Sequence, residues 1–178
     1  MKVAIFTLLL PLISISLRAQ TLSLGSTAVY GDDIGAPGIN VRGYFNTKDH
    51  KRCIGPEFTW FNTTETEGGF SLDRRLFEFN LNGHYVFEVF DGFGVNPITG
   101  INFSSEVEEG GPENEQHEVQ AWGWNIGAGF HYFIGGNFVV IGEWDHLVGK
   151  LSQNTYTLGL LYSINLSKRK GSDTHHDH

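Results

Sequence analysis

The segment from Asn154 to Leu166, NTYTLGLLYSINL, carries two interleaved residue sets. Its even positions, Tyr156, Leu158, Leu160, Tyr162, Ile164 and Leu166, are large and apolar. Its odd positions, Thr155, Thr157, Gly159, Leu161, Ser163 and Asn165, are mostly small or polar. Successive side chains of a strand point to opposite faces, so alternation over this length predicts one long strand with two unlike faces. Such a strand belongs in a fold that offers two environments, and the open question is which set faces inward.

The same period recurs along the chain. In EFNLNGHYVF, Phe79, Leu81, Tyr85 and Phe87 alternate with Glu78, Asn80, Asn82 and His84; in WGWNIGAGFHYFI, Trp122, Trp124, Ile126, Phe130, Tyr132 and Ile134 alternate with Gly123, Asn125, Gly127, Gly129 and His131. Shorter runs are INVRGYFN, with Asn40, Arg42 and Tyr44 on the second face, and IGPEFTWF, with Gly55, Glu57 and Thr59 there. LSLGSTAVY, VNPITGINFS and FVVIGEWDHLV complete about eight strands separated by turn-rich residues. No segment has helical period and no repeat recurs at a fixed spacing.

The connections alternate in kind. TKDHK, DGFG and GGN are tight, and for Gly129 and Glu143 to pair on one face the last must hold an odd number of residues, Gly135, Gly136 and Asn137. The others, DDIGAPG, TTETEGGFSLDRR, EEGGPENEQHE and KLSQN, are mostly longer, and two of them read as dense acidic loops. An even strand count places both termini on the short-turn side, together with the basic clusters Lys48, Lys51, Arg52 and Lys168, Arg169, Lys170.

Volume decides which set is inside. An eight-stranded barrel has an interior just wide enough for side chains to fill. Trp60, Trp122, Trp124, Tyr132, Tyr156 and Tyr162 would overfill it. The other set is Gly, Asn, Ser and isolated charges, unlike a water-facing β surface, and its several glycines on one strand imply crowding by neighbouring inward side chains or a bend. Charged residues are 18% of the chain, against about 25% in soluble domains. The expectation is therefore an all-β, eight-stranded antiparallel up-and-down transmembrane β-barrel with the bulky set facing lipid. Arg42, Glu57, Glu78, His84, Glu143 and Asp145 share the inward parity and form the candidate lumen polar network. Arg42 is expected to neutralise Glu57, its hairpin partner, and one of Glu78 or Glu143.

Residues 1–19 read as an export signal: Lys2, then the apolar VAIFTLLLPLISISL, then Arg18-Ala19-Gln20. The barrel is expected over 20–167, followed by a disordered basic and His-rich tail over 168–178. Cys53 is the single cysteine, so no internal disulfide forms. A formal net charge of -8 argues against a nucleic-acid partner. No cofactor or metal is assigned; His175, His176 and His178 are at most weak transition-metal ligands.

Thr157, Gly159, Tyr162 and Ile164 resemble the outer-membrane assembly signal, which reads polar, any, Gly, two any, aromatic, any, hydrophobic, on the last strand. That signal usually ends the chain, whereas here SKRKGSDTHHDH follows. In outline the region from about Gln20 to Ser167 is similar to small outer-membrane β-barrel domains of the outer membrane protein X-like type, and the end of the leader resembles secretion signals common in Bacteroidota. The resemblance implies a bacterial outer-membrane location, contact with outer-membrane lipid and lipopolysaccharide, and the outer-membrane assembly machinery as a partner during insertion. It carries no catalytic motif and names no surface partner.

The functional expectation is a structural or surface-interaction protein with a filled polar lumen, not a porin and not an enzyme. A secreted lipocalin-like carrier of an apolar ligand is the alternative from another class, separable by a detergent requirement on extraction. A lipid-modifying enzyme is a third reading, resting on His146 beside Asp145 and on Ser104 or Ser105 near the outer rim. The Glu106 to Glu118 segment either bridges divalent cations to lipopolysaccharide phosphates or is a solvated loop.

Overall fold

The computed structural model describes residues 21–47, 51–67, 70–110 and 115–166. The expected export signal, the 168–178 tail, both end residues of the 20–167 span, Lys48 and the three tail histidines lie outside the described residues. Nine strands follow one another: β1 (Thr21–Gly31), β2 (Ala36–Asn46), β3 (Arg52–Glu67), β4 (Phe70–Tyr85), β5 (Phe87–Phe90), β6 (Phe93–Gly110), β7 (Glu115–Gly135), β8 (Phe138–Gly149) and β9 (Gln153–Asn165). No described residue is helical.

Every pairing is antiparallel; strands pair with their neighbours in sequence except that β4 pairs with β6 rather than β5, and β1 also pairs with β9, from Thr21↔Asn165 to Gly31↔Thr155. β4 pairs with β6 from Leu72↔Gly110 to His84↔Ile98, and β5 carries the same edge onward against Val95. β4 and β5 are thus one stave interrupted at Val86, and the ring closes with eight staves. Closure leaves no free sheet edge within the barrel.

Local chemistry sets the register. Gly129 pairs with Glu143, as the parity of the turn requires, and the odd residue is absorbed as a bulge at Ile134 beside a two-residue tip. Gly135 and Gly136 hold positive φ angles of 113° and 59° there, a region that residues with a Cβ rarely enter. In the β2–β3 hairpin Arg42 stands opposite Glu57. Pairing then lapses until Phe45↔Ile54, because Pro56 has no N–H to give the ladder. Gly43 and Gly55 let the two backbones close up across that gap: a Cβ on Gly55 would fall 1.7 Å from the Gly43 carbonyl oxygen.

The bulky set is outside. Trp122 is 70% exposed, Leu158 61% and Trp60 56%, and they belong to a continuous apolar belt running round all staves. An apolar exterior of this extent is not a surface that water tolerates. The opposite set is buried and mostly polar, so the calyx lined by bulky side chains that a lipocalin-like carrier needs is not built. Two small apolar layers sit within the lumen. Val29, Ile34, Ala36, Phe61 and Leu76 close the end nearer the long hairpins, while Tyr44, Val139, Ile141 and Leu161 pack near the short turns. The polar network lies between these layers.

Among the described residues the two acidic segments are strand rather than loop. TTETE belongs to β3, SLDRR to β4, Ser105–Gly110 to β6 and Glu115–Gln120 to β7, all in continuous register. Alternation of apolar residues marks a strand with one wet and one dry face; a strand wetted on both faces has no such pattern to read. Backbone pairing in register holds these strands, and charge pairs across neighbours such as Arg75 with Glu109 add to it.

Candidate functional site

The lumen is organised around Arg42. Its side chain is 1% exposed, and it forms ion pairs with Glu57, 3.3 Å away across the β2–β3 hairpin, and with Glu143 from β8 on the far wall. Of the two acids open to it as a second partner, it takes Glu143. Glu78 instead accepts a hydrogen bond of 2.7 Å from Gln153 Nε2. His84 stands between the two paired acids, with Nε2 3.9 Å from Glu57 and Nδ1 3.8 Å from Glu143, and Asn96 lies 3.1 Å from Nδ1. Asp145 is buried with no hydrogen-bond partner on Oδ1; that oxygen fills the place where Gly127 lacks a side chain, 2.1 Å from an ideal Cβ. The inward glycines therefore record crowding: Gly129 gives the same room to Glu143, and Gly100 to Asn82.

A buried ion pair survives only when its remaining hydrogen-bonding capacity is met. Amides meet it here. Asn40 accepts from Arg42 Nε at 2.7 Å and donates to Thr59 at 2.8 Å, and Asn82 donates to Glu57 Oε1 at 2.8 Å. Asn125 donates to Asn80 and Asn82, Asn102 donates to Asn80, and Tyr44 donates its phenolic proton to Glu57. The candidate acids were singled out in the sequence by charge, and these asparagines and Tyr44 were not, although they share the inward parity. Neutral amides carry both donors and acceptors, which is what lets a chain of them link ionised groups without adding charge.

His146 and Asp145, neighbours in sequence, do not act together. Successive strand residues face opposite ways, so Asp145 enters the lumen while His146 faces out and lies 3.0 Å from Asn154 Oδ1. Ser104 is fully buried and donates to Asn102 at 2.7 Å, on the other side of the wall from His146. Residues of the assembly-signal pattern lie along β9: Thr157 and Gly159 inward, Tyr162 and Ile164 outward. Tyr162 rests edge-on against Phe138, with ring centres 5.2 Å apart, and accepts from Asn137 Nδ2 at 3.2 Å.

At the long-hairpin end the staves are unequal. Pairing of β2 with β3 stops at Gly38↔Phe61, and pairing of β7 with β8 stops at Gly123↔Gly149. β3, β4, β6 and β7 continue past those points as a four-stranded sheet with six further residues on β3, about 20 Å at strand rise. Its outer edges, Asn62–Glu67 and Glu118–Trp122, have no strand partner on their free side among the described residues. Arg74 binds this sheet to the barrel mouth, reaching Glu106 at 2.7 Å, Glu108 at 3.0 Å, Asp33 at 3.6 Å and Glu65 at 3.8 Å. Burial disfavours the charged guanidinium, but the hydrogen bond and charge of Glu106 with the neighbouring acids outweigh it and hold the Arg74 pKa above its ordinary value. Arg75 pairs with Glu109 at 2.7 Å, and Thr64 donates to Asp73 at 2.6 Å. The charge of the sheet remains negative, with Glu65, Asp73, Glu106, Glu108, Glu109 and Glu118 against Arg74 and Arg75.

No protein-family model matches this chain, and no curated protein matches it. Solved structures do. The attachment invasion locus protein Ail of Yersinia pestis superposes over 83% of this chain and 99% of its own, with a TM-score of 0.59 at 15% identity. The N-terminal β-barrel domain of Pseudomonas aeruginosa OprF covers 82% and 98%, with a TM-score of 0.66 at 14% identity. Neisserial surface protein A covers 82% and 96%, with a TM-score of 0.56 at 9% identity. The fold is that of the small outer-membrane β-barrels.

Proposed function

We propose that this chain is an integral protein of a bacterial outer membrane that displays an acidic four-stranded sheet to the exterior and conducts no solute. The apolar belt supports residence in lipid, and the Arg42 cluster between two apolar layers supports a closed lumen. Outer-membrane lipid and lipopolysaccharide are then the partners of the belt, and the assembly machinery reads β9 during insertion. Kinship with outer membrane protein X-like barrels in particular is part of this proposal, as is the absence of a catalytic role.

The observation that carries the surface role is the protruding sheet with two open edges. A barrel needed only as a membrane plug gains nothing from strands about 20 Å longer on one side. Open strand edges offer unpaired backbone groups to an added strand, a recognised mode of protein docking. The charge limits what docks. Ail has been crystallised with the heparin analogue sucrose octasulfate; the acidic sheet here repels a sulfated polyanion and fits a basic or neutral partner.

The test compares cells displaying the full chain with cells displaying a variant whose Asn62–Arg75 and Ser105–Gln120 segments are replaced by four-residue turns. Both are brought to equal outer-membrane levels. Loss of cell–cell or cell–surface attachment in the shortened variant is the expected result. Identical attachment by the two contradicts the surface role.

A further inference from the structure

The opposite end of the barrel holds a cavity of about 390 Å³ that the closed-lumen reading does not use. It lies where inward residues of the strand ends at the short-turn mouth are small, Ser23 and Ser163, which are joined by a 2.8 Å hydrogen bond. Its apolar wall is Tyr44, Val139, Ile141 and Leu161, the second buried layer, with Phe93 and Phe133 beside the entrance. The inner end is stopped by His84 and Glu143, and thus by the Arg42 cluster. The cavity is blind.

Its size falls in the range of small-molecule sites, which are apolar pockets with a few placed polar groups. Carboxylates outnumber the fixed cations among its charged groups. Glu88 and Asp91 stand exposed at the entrance, and Glu143 lies at the inner end sharing a single guanidinium with Glu57. Among the described residues of the wall and the cluster behind it, these four carboxylates stand against Arg42 and Lys51, with His84 and His131 also present, leaving an excess of carboxylates at a concave, low-dielectric site, where such fields concentrate counter-ions.

We propose that this mouth cavity binds a small amphipathic organic cation, an amine whose alkyl or aryl arm lies against Val139, Ile141 and Leu161 while its charged nitrogen stays among the rim carboxylates. The site faces the side of the membrane opposite to the protruding sheet and stands independently of any surface role. An apolar ligand without charge gains only the wall. An anionic one meets the excess carboxylates.

The test is a titration of methyl-labelled protein in lipid nanodiscs with hexylammonium, using hexanol and hexanoate as matched probes. Saturable shifts confined to the Val139, Ile141 and Leu161 methyls, strongest with hexylammonium, are expected. The methyls of Leu158 and Leu160, on the outer face, report simple partitioning into lipid. The double variant Glu88→Gln, Asp91→Asn alters only exposed side chains and should weaken hexylammonium binding about five- to tenfold, as expected for two solvent-exposed charge contacts. Shifts that rise without saturation and equally at Leu158 and Leu160 overturn the site. Equal saturation by hexanoate, or unchanged affinity in the double variant, overturns the cationic preference.

Discussion

Arg42 on β2 and Glu143 on β8, 101 residues apart in the chain, form an ion pair inside the barrel. The contact crosses the lumen, so it can form only once the ring has closed. Glu57, by contrast, meets Arg42 within a single hairpin.

The two acids should therefore respond to loss of Arg42 together. Arg42→Met leaves both without a counter-charge, and removing one partner of a buried pair costs about 3–5 kcal/mol. Adding Glu57→Gln should recover part of that loss, and adding Glu143→Gln as well should recover more. Urea unfolding in lipid vesicles measures each step, and the double-mutant comparison isolates coupling from packing. Strictly additive losses contradict the cluster.

The glycines of the lumen yield a second prediction. A methyl group on Gly127 would lie 2.1 Å from Asp145 Oδ1 and 2.5 Å from the Trp144 carbonyl oxygen. Gly127→Ala should cost about 1–3 kcal/mol, the range for overpacking. Gly83→Ala is the control, since its Cβ would meet nothing closer than 3.7 Å. There the change should be neutral or gain up to about 1 kcal/mol from the reduced freedom of the unfolded chain. Equal losses at the two sites, in the same vesicle unfolding assay, contradict the assignment of faces.

Leu160 is 41% exposed on the outer wall of β9, and Ser163, three residues on, faces inward and bonds to Ser23. Leu160→Arg should cost about 2–4 kcal/mol if the side chain meets the bilayer midplane. Ser163→Thr keeps the hydroxyl and should cost far less. Unfolding titrations in vesicles that return equal, small effects for both contradict the orientation.

The turn between β1 and β2 is tied to β9 by Asp32. Its carboxylate accepts from the Asn154 backbone N–H at 2.7 Å and from Asn154 Nδ2 at 2.6 Å, and the side-chain bond above all holds its pKa below the ordinary 3.8. A carboxyl with a depressed folded pKa stabilises above its unfolded value, and that contribution fades as pH falls through the lower folded value. The Asn154 amide chemical shift should accordingly titrate with a midpoint below 3.8. Asp32→Asn should abolish the transition. A wild-type midpoint at or above 3.8 contradicts the tie.

Much of this was legible in the sequence, and the reasons differ by element. Strict alternation gave β4, β7 and β9 because each has one wet and one apolar face. The Arg42–Glu57 pairing followed from a hairpin, where register depends on a few turn residues. The choice of Glu143 over Glu78 did not follow, because it depends on barrel stagger, which no local pattern encodes. The acidic segments read as loops because a strand in water on both sides has no apolar period. That Asp145 and His146 face opposite sides of the wall follows from strand parity alone. The mouth cavity depends on small side chains from several staves meeting at one level, a property of the closed ring.

The central claim is that the bulky residues face lipid, and the four tryptophans test it without any substitution. Trp60, Trp122, Trp124 and Trp144 all lie on the outer wall, 42–70% exposed. Protein reconstituted into vesicles of brominated phospholipid, whose bromines quench indole fluorescence on contact, should lose most of its tryptophan emission relative to vesicles of the unbrominated lipid. Emission that is unchanged by bromination, while aqueous iodide quenches it, would place these side chains away from lipid and contradict the account.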